Sequence, residues 1–481
     1  MKLYNTLSKK VEKFQSLNED NKQVKMYTCG PTVYDYTHIG HLRKYVMDDI
    51  LVRVLRHAGY DVKHVQNITD VGHLVSDDDE GEDKMEKGAR KYGQTAWQVA
   101  KKFEEYFWYS MDLIGVLRPT LSCRATEHIQ SQLEMVLDLE QKGYTYVIEG
   151  DGVYFDTSKL ETYGELSGHD PRHAPRESRM GEVTNKKNPS DFALWKFEKA
   201  GENRQMVWPS PWHQRSFPGW HVECSAMSIE HLGSQLDIHT GGIDHIAVHH
   251  ANEIAQSETY TGQKPFSKFW VHHNFLRVDG EKMSKSLGNF YTIDDILQKG
   301  FTAKALRLLY LSGHYRSEQN FTFESLQASQ TAWQKLLQAY LEIKNNRVDG
   351  EDLTEVEPIA TKLEQEFFTA MENDLNTSEA LAVVWKLLKS DLSNTQKYRL
   401  LLEFDRVLGL GLISISDDEL AKYQDNLNLE DLPKALQELF KQREIARSKK
   451  DFAQADAIRK EFNQAGYQLI DQVDSVSIKH L

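Results

Sequence analysis

A strand, a helix and a second strand follow one another between residues 24 and 68, and this succession constrains the fold more than any other feature. VKMYTC alternates apolar and polar residues up to Cys29, which predicts a strand. Gly30-Pro31 then turns the chain, and HLRKYVMDDILVRVLRHAG carries apolar residues at helical spacing until Gly59. DVKHVQNI has the pattern of a second strand. Such a βαβ unit predicts a parallel sheet that binds its ligand at the carboxyl ends of the strands.

The chain of 481 residues is too long for one core, and its character changes along its length. Irregular, polar sequence from 119 to 206 looks like an insertion, after which LDIHTGG and FWVHH are strands that resume the sheet. Long amphipathic helices begin after residue 316. We therefore predict an α/β protein in which a Rossmann-like parallel-sheet domain, split by a connective insertion, is followed by a helical bundle and a small C-terminal domain. The predicted boundaries are 1–118 and 207–255 for the sheet domain, 119–206 for the insertion, 256–322 for the region after it, 323–420 for the bundle and 421–481 for the C-terminal domain.

The charge distribution limits the partners. With 58 basic and 72 acidic residues the formal net charge is -14, which argues against a protein that coats DNA or RNA indiscriminately. Residues 441–460 are an exception, because seven Lys or Arg stand there against three acids. This basic patch predicts a local nucleic-acid contact, in which Arg443, Arg447, Arg459 or tyrosine and phenylalanine rings would stack on bases. A solvated helix face would give the same pattern.

The cysteines and the apolar residues indicate the compartment. Cys29, Cys123 and Cys224 are too few and too scattered for a disulfide framework, and the first residues lack the apolar stretch of a signal peptide. No apolar run approaches the ~18 to 20 residues of a membrane span. We expect a soluble cytoplasmic protein without a membrane partner, in which Cys123 is a buried small side chain.

The first motif with chemical content is His38-Ile39-Gly40-His41, which follows the Gly-Pro turn and begins the helix. A helix start presents unpaired N–H groups and the positive end of the helix dipole, so it favours a polyphosphate. Gly40 lets a nucleotide approach the backbone, and His38 and His41 add hydrogen-bond donors. Four residues alone are weak evidence.

The second motif is KMSKS at 282–286, which follows a strand and the Asp279-Gly280 turn. Lys282 and Lys285 on such a loop can close on the pyrophosphate part of ATP and neutralise charge that develops at the α-phosphate. A plain basic loop is the alternative. Both motifs in this order strongly favour the phosphate-binding function.

The third group of residues suits a metal ion. GWHVECSAMS carries Cys224, and VHHANEIAQSE carries His249, His250 and Glu253. On a helix either histidine shares a face with Glu253, because the separations are four and three residues, so the spacing does not choose between them. Cys29 and Cys224 would supply two thiolates, one of these histidines an imidazole and Glu253 a carboxylate. Such a set of four ligands is suited to Zn²⁺.

These residues resemble a known family. HIGH with KMSKS is the signature pair of class I aminoacyl-tRNA synthetases, and TCGPTVYDYTHIGH, GWHVECSAMS, HHANEIAQSE and GEKMSKSLGN together look like cysteinyl-tRNA synthetase. The resemblance covers the whole chain, down to KDFAQADAIRKEF, which is similar to the tRNA-binding tail of that family. It implies that the sheet domain is catalytic, that 256–322 contacts the tRNA stem and that 421–481 binds the anticodon.

The resemblance also implies roles for individual residues. One Zn²⁺ per chain is expected on Cys29, Cys224, His249 and Glu253. Catalytic residues are expected at His38, His41, Lys282 and Lys285. ATP with Mg²⁺ is expected to bind at His38, Gly40, His41, Lys282, Ser284 and Lys285. L-cysteine is expected at Cys29, Gly30, Thr69 and Trp220, and the remaining partner is tRNA(Cys). For Trp220 a place in the core is the alternative.

Two stretches depart from the family pattern. This chain has AVHHANE where most relatives have Phe-Pro-His-His-Glu-Asn-Glu, and it has TDVGHL at 69–74 where they have Thr-Asp-Ile-Asp-Asp-Lys. Neither departure falls on an expected zinc ligand. Both departures point to a subfamily, and they lie beside Asp70 and Glu253.

Two other functions fit part of the pattern. A ligase that joins cysteine to an amino-sugar, as in mycothiol biosynthesis, would share the catalytic motifs, but it would have a shortened C-terminal region. A zinc-stabilised RNA-binding protein without catalysis would have no use for the HIGH and KMSKS pair. Cysteine-dependent exchange of pyrophosphate into ATP and a requirement for tRNA separate these possibilities.

Overall fold

The computed structural model of this chain describes residues 1–18, 22–72, 83–168, 185–285, 287–348, 357–415, 429–471 and 476–480. Ser286 of the KMSKS motif, positions 73 and 74 of the TDVGHL departure, and parts of the predicted insertion, bundle and C-terminal region lie outside these ranges.

The secondary structure alternates between strands and helices in the first half of the chain and is mainly helical afterwards. The strands are β1 Lys2–Asn5, β2 Lys10–Lys13, β3 Gln23–Thr28, β4 Asp61–Ile68, β5 Leu121–Arg124, β6 Thr145–Ile148, β7 Gly152–Phe155, β8 Phe192–Phe197, β9 Ser216–Pro218, β10 Leu236–Gly242, β11 Ser267–His273, β12 Leu276–Val278, β13 Glu281–Lys282, β14 Gln319–Phe321, β15 Tyr467–Asp471 and β16 Val476–His480. The helices are α1 Ile39–His57, α2 Lys84–Tyr92, α3 Ala96–Ile114, α4 Ile129–Gln141, α5 Trp220–Leu232, α6 His249–Thr261, α7 Ile293–Gln298, α8 Ala303–Leu311, α9 Phe323–Asn345, α10 Pro358–Glu372, α11 Thr377–Leu388, α12 Asn394–Leu408, α13 Lys434–Ser448 and α14 Phe452–Gln464.

The predicted parallel sheet is confirmed. Five strands pair in parallel in the order β11-β10-β3-β4-β5. The middle strands are buried on both faces, as the almost continuous burial of β10 shows, and this is typical of a parallel sheet covered by helices. Helix α1 follows β3, and the apolar positions predicted to face the core, Leu42, Val46, Ile50 and Val54, are all buried.

The sheet extends beyond the ranges 1–118 and 207–255. β5 pairs with β4, with Leu121 opposite Val65, and β11 pairs with β10, with Phe269 opposite Ile238. β5 has only four residues, of which one is fully buried, so it lacks the long alternation that marks a strand in a sequence. The parallel sheet therefore includes the first residues of the predicted insertion and part of the region after it.

Between β5 and β10 the chain adds a second sheet. Strands β6, β7, β8 and β9 are antiparallel neighbours in that order, so this sheet runs to Pro218 rather than to residue 206. The indole N–H of Trp195 donates to the Ser216 hydroxyl at 2.8 Å across it. The inserted sheet forms one apolar core with residues of α4, α5 and α6.

The KMSKS segment begins on a hairpin. β12 and β13 are antiparallel, and Asp279 and Gly280 between them both have positive φ, at 51° and 81°. Two adjacent positive φ angles are typical of the tight turns that join hairpin strands, where Gly meets no steric cost. The Asp279-Gly280 turn predicted from the sequence is confirmed.

The C-terminal half is helical, as predicted. Helices α9 to α12 pack on one another and on α8 and α1. A separate small core then joins α13, α14 and the β15–β16 hairpin, with Phe462 fully buried in it. Arg443, expected at a nucleic-acid surface, is instead buried on α13, where its side chain is only 3% exposed and pairs with Glu444. Across the described part of the chain, no helix combines the length and the apolar character that crossing a membrane requires.

Candidate active site

The candidate site lies at the carboxyl edge of the parallel sheet. β3 ends at Thr28 and is followed by Cys29, and β4 ends at Ile68 and is followed by Thr69. β10 leads through a short turn into α6, whose first residue is His249. Because parallel strands end on the same edge, the loops that carry the predicted site residues converge there.

Gly30 is needed for the close approach of the β3 loop to β4. Its N–H donates to Asn67 Oδ1 at 2.7 Å, and a Cβ at this position would stand 1.6 Å from the Asn67 carbonyl oxygen. Any side chain would therefore push the loop off the sheet. Lys44 Nζ also donates to the Cys29 carbonyl oxygen at 2.6 Å. These contacts fix the backbone at Cys29.

His38 caps α1. Its Nδ1 accepts hydrogen bonds from the N–H groups of Gly40 at 3.1 Å and His41 at 3.3 Å. A nitrogen that accepts a hydrogen bond carries no proton, so the proton of the neutral ring is on Nε2. This N–H can donate a hydrogen bond to an oxygen of a ligand. The His41 ring stacks on His38 at 3.6 Å. Burial, followed by the nearby His41 and Lys285, holds the pKa of His38 well below its usual value. The ring is therefore neutral at pH 7.

The KMSKS segment lies against this helix start. A Cβ on Gly40 would stand 3.4 Å from Met283 Cε, and the Ile39 N–H donates to the Tyr291 carbonyl oxygen at 2.9 Å. His38 and Thr292 also pair as an isolated antiparallel bridge. The two motifs, far apart in sequence, therefore form one surface.

Asn289 shapes the KMSKS loop. Its Oδ1 accepts the Ser284 N–H at 2.7 Å, and its Nδ2 donates to the Lys282 carbonyl oxygen at 3.2 Å. The side chains of Lys282 and Lys285 are exposed. The loop therefore has a defined backbone while its two lysines face outwards.

Asp35 provides an anionic partner for Lys285. Lys285 Nζ forms an ion pair with the Asp35 carboxylate, which also meets Lys91 Nζ at 3.3 Å and the Tyr92 hydroxyl at 3.1 Å. Burial alone would raise the pKa of Asp35, but the Lys285 hydrogen bond, the Tyr36 N–H and the nearby cations lower it. Lys285 is therefore held by a carboxylate close to the HIGH motif.

The four residues expected to hold a metal come together on buried side chains. Cys29 Sγ lies 3.9 Å from Glu253 Oε1, and His249 Nε2 lies 2.9 Å from the same oxygen. The donor atoms of Cys29, Cys224, His249 and Glu253 are all within 4.8 Å of one another. α6 presents His249 and Glu253 on one face, as the four-residue spacing predicted.

A second, overlapping set of donors includes the other histidine. Cys29, His239, His250 and Glu253 also have their donor atoms within 4.8 Å of one another. His250 Nε2 lies 3.3 Å from Cys29 Sγ, and His239 Nε2 lies 2.9 Å from Glu253 Oε2. The geometry therefore leaves the choice between His249 and His250 open, as the spacing did.

Both candidate histidines are oriented by a further imidazole. His249 Nδ1 lies 2.9 Å from His221 Nδ1, and His250 Nδ1 lies 2.7 Å from His272 Nε2. His272 Nδ1 in turn meets the Thr6 hydroxyl at 2.7 Å. Hydrogen bonds of this kind fix the ring orientation of metal-binding histidines.

The two thiols do not share the same protonation. Burial raises the pKa of Cys29, but the Cys224 thiol and the imidazoles of His250 and His239 bring it well below its usual value. The pKa of Cys224 is raised well above its usual value, first by its hydrogen bond to Cys29 and then by burial. One thiolate, at Cys29, is therefore favoured even without a cation.

The donors fit a divalent metal ion. Glu253 is fully buried, and in the described part of the chain its ion-pair partners are imidazoles and not Lys or Arg. His239 Nδ1 is buried without a hydrogen-bond partner among the described residues. A buried carboxylate and thiolate require compensating positive charge, which an ion held by this group would supply.

The other residues expected to bind the substrate L-cysteine lie beside this group of donors. Thr69 Oγ1 donates to Glu223 Oε2 at 3.2 Å, and Glu223 precedes Cys224 on α5. Trp220 is the first residue of α5, and its half-buried ring stacks on His249 at 4.2 Å. Cys123 is buried in β5, and burial raises its pKa to about 12, which agrees with the expected role of a small core side chain.

Several residues of the site were not found from the sequence, among them Asp35, Glu223 and His239. Asp35 stands three residues before His38, and Glu223 stands next to Cys224. His239 lies in LDIHTGG, where a histidine within a buried strand is itself a signal. All three were visible as polar residues in or beside the motifs.

Two known families match the chain. The family described as "tRNA synthetases class I (C) catalytic domain" matches residues 15–331. The family described as "Cysteinyl-tRNA ligase anticodon binding domain" matches residues 429–472. The first match covers the parallel sheet, the inserted sheet and the KMSKS hairpin, and the second covers the small C-terminal core up to β15.

Relatives of similar length resemble the chain from end to end. Cysteine–tRNA ligase 1 of Burkholderia lata is 44% identical over 471 residues, which are 98% of this chain and 94% of the relative. The cysteine–tRNA ligase of Treponema denticola is 40% identical over 506 aligned positions that cover both chains completely. That of Caldicellulosiruptor saccharolyticus is 39% identical over 489 positions, again covering both chains completely.

Solved structures share the fold at low identity. Mycobacterium tuberculosis methionyl-tRNA synthetase, in complex with methionyl-adenylate, has a TM-score of 0.54 at 16% identity and covers 82% of this chain and 91% of its own. LeuRS of Agrobacterium radiobacter K84, in a ternary complex with tRNA and LeuAMS, has a TM-score of 0.58 at 12% identity and covers 85% and 88%. From the two family matches and the full-length relatives it follows that this chain belongs to the cysteinyl-tRNA synthetase family of class I aminoacyl-tRNA synthetases.

Proposed function

We propose that this chain activates L-cysteine with ATP to cysteinyl-adenylate and transfers the cysteinyl group to the 3′ end of tRNA(Cys). The observation that carries the proposal is that the loop after β3 joins two functional groups, one at Cys29 and one at His38. Cys29 belongs to the buried thiol, imidazole and carboxylate cluster, and His38 belongs to the surface formed by HIGH and KMSKS. A thiol-binding group and a polyphosphate-binding surface are therefore adjacent.

The first step needs charge stabilisation more than proton transfer. The cysteine carboxylate attacks the α-phosphorus of ATP, and the bond to the bridging oxygen breaks as pyrophosphate leaves. The neutral ring of His38 donates from Nε2, and the α1 N-terminus adds N–H groups. Lys282 and Lys285 neutralise the charge on the phosphates, with Mg²⁺ accompanying ATP. We assign catalysis to His38, His41, Lys282 and Lys285.

A metal ion in the buried group sets the choice of amino acid. We assign one Zn²⁺ per chain to Cys29, Cys224, His249 and Glu253, since two sulfurs, a nitrogen and a carboxylate oxygen suit zinc. Bound there, zinc would supply a soft coordination position that suits the thiolate of cysteine better than the hydroxyl of serine. Gly30, Thr69 and Trp220 complete the pocket around this position.

Such a site makes a separate editing domain unnecessary. A site that requires one specific bond rejects an analogue without it by roughly 10⁴ to 10⁵. Serine is close to isosteric with cysteine, so a pocket defined by shape alone would discriminate far less. The inserted sheet is then free to have another role.

The second step moves the cysteinyl group to tRNA. The 2′-hydroxyl of the terminal ribose attacks the carbonyl carbon of the adenylate, AMP leaves, and the proton of the hydroxyl passes to a phosphate oxygen of AMP. The HIGH surface keeps the AMP phosphate in place during this exchange. No covalent intermediate with the protein is required.

The small C-terminal unit supports tRNA as the partner. Lys441, Lys449 and Lys450 are exposed, and Phe452 is 64% exposed beside them. Exposed cations suit phosphates, and an exposed aromatic ring suits a single-stranded base. We place the anticodon on this unit and the reaction in the cytoplasm, where free cysteines such as those of this chain stay reduced.

Two assays test the proposal together. Cysteine should stimulate exchange of labelled pyrophosphate into ATP, and formation of the cysteinyl product should require tRNA. Transfer of the cysteinyl group to an amino-sugar, with no need for tRNA, would favour the amino-sugar ligase instead. Absence of exchange in the zinc-loaded protein would contradict the proposal.

A further inference from the structure

Three side chains with metal-binding donors meet outside the site just described. His128 is the residue before α4, and Glu230 and His231 lie in the last turn of α5. Their donor atoms lie within 4.8 Å of one another. This cluster shares no residue with the buried group around Cys29, and it lies where the chain enters the insertion.

The donor atoms of the three side chains lie close enough to one another to bind the same ion. His128 Nε2 faces His231 Nε2 at 2.8 Å, and Glu230 Oε1 lies 3.8 Å from His128 Nε2. The His128 side chain is 10% exposed, while that of Glu230 is 45% exposed. The cluster therefore has one side closed by the two helices and one side open to solvent.

The backbone fixes the proton of one ring. His128 Nδ1 lies 2.7 Å from the carbonyl oxygen of Arg124. A carbonyl oxygen can only accept, so Nδ1 carries the proton and Nε2 of the neutral ring presents its lone pair to the cluster. A hydrogen bond to a backbone carbonyl is also the usual outer contact of a metal-binding histidine.

The charges around the cluster favour a cation. The C-terminal end of α5 carries the negative end of the helix dipole, and Glu230 adds a full negative charge. The cations nearby are already engaged. Arg124 is paired with Glu104 and Glu127, and Lys63 donates to the backbone carbonyl at the end of α5 at 2.7 Å.

We propose that His128, Glu230 and His231 form a second metal site, which takes one divalent cation of the Zn²⁺ class through two imidazole nitrogens and one carboxylate oxygen. Three protein ligands with further positions open to solvent are the pattern of an accessible zinc site. An ion there joins α4 at the start of the insertion to α5, the helix that carries Cys224. The competing interpretation is a hydrogen bond between the two rings that binds no metal.

Metal titration of the full-length protein distinguishes these interpretations. The chain is first freed of metal by dialysis against a chelator and is then titrated with Zn²⁺ against a chromophoric competitor. We expect two equivalents in the wild type, the weaker of which is the new site. His231→Gln and Glu230→Gln should each weaken that second equivalent by more than about tenfold and leave the tighter one unchanged.

Matched variants separate this site from the buried group. His57→Gln changes an exposed histidine on α1 that stacks on Phe368, and it should keep both equivalents. Cys29→Ser should lose the tighter equivalent and keep the weaker one. Cysteine-dependent exchange is a separate measurement, so its failure would leave the second equivalent in place.

A single zinc equivalent in the wild type would overturn the proposal. So would a second equivalent that both His231→Gln and Glu230→Gln retain at full affinity. Should His231→Gln lose its folded near-ultraviolet circular dichroism, Glu230→Gln decides the outcome, because its side chain is 45% exposed and folding does not depend on it.

Discussion

At the scale of single residues, the proposed activation of cysteine requires that Lys285 leave the Asp35 carboxylate for the phosphates of ATP. Its ammonium group pairs with Asp35, and the same Nζ lies 4.7 Å from the centroid of the Phe290 ring. A triphosphate offers more negative charge than one carboxylate. Lys91 and Tyr92 already contact Asp35, so this carboxylate keeps partners when Lys285 moves to the nucleotide.

We expect Lys285→Ala to slow adenylate formation far more than it weakens cysteine binding, because the charge that Lys285 neutralises grows in the transition state. The loss should be about 2 to 4 kcal/mol, the scale of one such electrostatic contact. Pre-steady-state formation of the adenylate measures it, with Lys335→Ala on the exposed face of α9 as the control. A change confined to the Michaelis constant for cysteine would show that the assigned role is wrong.

Asp35→Asn should strengthen the binding of ATP. Removing the carboxylate frees Lys285 and takes one negative charge away from the phosphates, so the Michaelis constant for ATP should fall while the rate of activation changes little. Exchange kinetics at varied ATP concentration measure this effect. Asp112→Asn, which removes an exposed carboxylate paired with Arg118, is the control. A loss of rate as large as that of Lys285→Ala would mean that Asp35 takes part in catalysis itself.

At the scale of secondary-structure elements, the ends of neighbouring strands are tied together beside the site. Asp70, just after β4, accepts the Thr126 N–H at 2.9 Å from the turn after β5. Burial raises the pKa of Asp70 from 3.8 to about 6, and the Thr126 hydrogen bonds only partly offset this rise. The loop therefore contains a carboxyl group that is hard to ionise.

This carboxyl group should make stability depend on pH. Between pH 3.8 and about 6 the folded protein keeps a proton that the unfolded chain has released, so the free energy of unfolding falls as pH rises through this window. The shift corresponds to a cost on the order of 3 kcal/mol. Urea unfolding of Asp70→Asn at pH 4 and pH 8 should show that the variant gains relative to the wild type at the higher pH. An equal difference at both values would contradict the assignment.

The elements that the sequence predicted are those with a strong pattern. β3, α1, β4 and β10 were predicted because long runs of alternating or helically spaced apolar residues face one core. β5 could not be predicted, since four residues with one fully buried side chain carry too little pattern. The end of the inserted sheet at Pro218 was missed for the same reason, because β9 has three residues.

The residues of the site could be predicted only in part. Motif spacing identified Cys29, Cys224 and Glu253, whereas the choice between His249 and His250 came from the resemblance to a family, and the structure brings both imidazoles to the same carboxylate. Contacts between distant segments, such as that of Lys285 with Asp35, depend on tertiary packing and leave no local pattern.

At the scale of the whole molecule, the activation site and the basic patch at 441–460 act on different parts of the reaction. We expect Lys441→Glu with Lys449→Glu to leave cysteine activation intact and to weaken tRNA charging, because phosphate contacts are lost. Charging should also become less sensitive to salt. Lys335→Glu on α9 is the control. Equal damage to activation and charging would indicate misfolding instead.

We propose that the buried donor group, and not the shape of the pocket, selects cysteine. The most direct test is the ratio of kcat/KM for cysteine and serine in pyrophosphate exchange, measured with the wild type and with Cys29→Ser at known zinc content. The wild type should prefer cysteine by roughly 10⁴ or more. Cys29→Ser should remain folded, lose the tight zinc and lose nearly all activity with cysteine, so that the ratio falls towards unity. A variant that stays active and keeps the wild-type ratio would contradict the account.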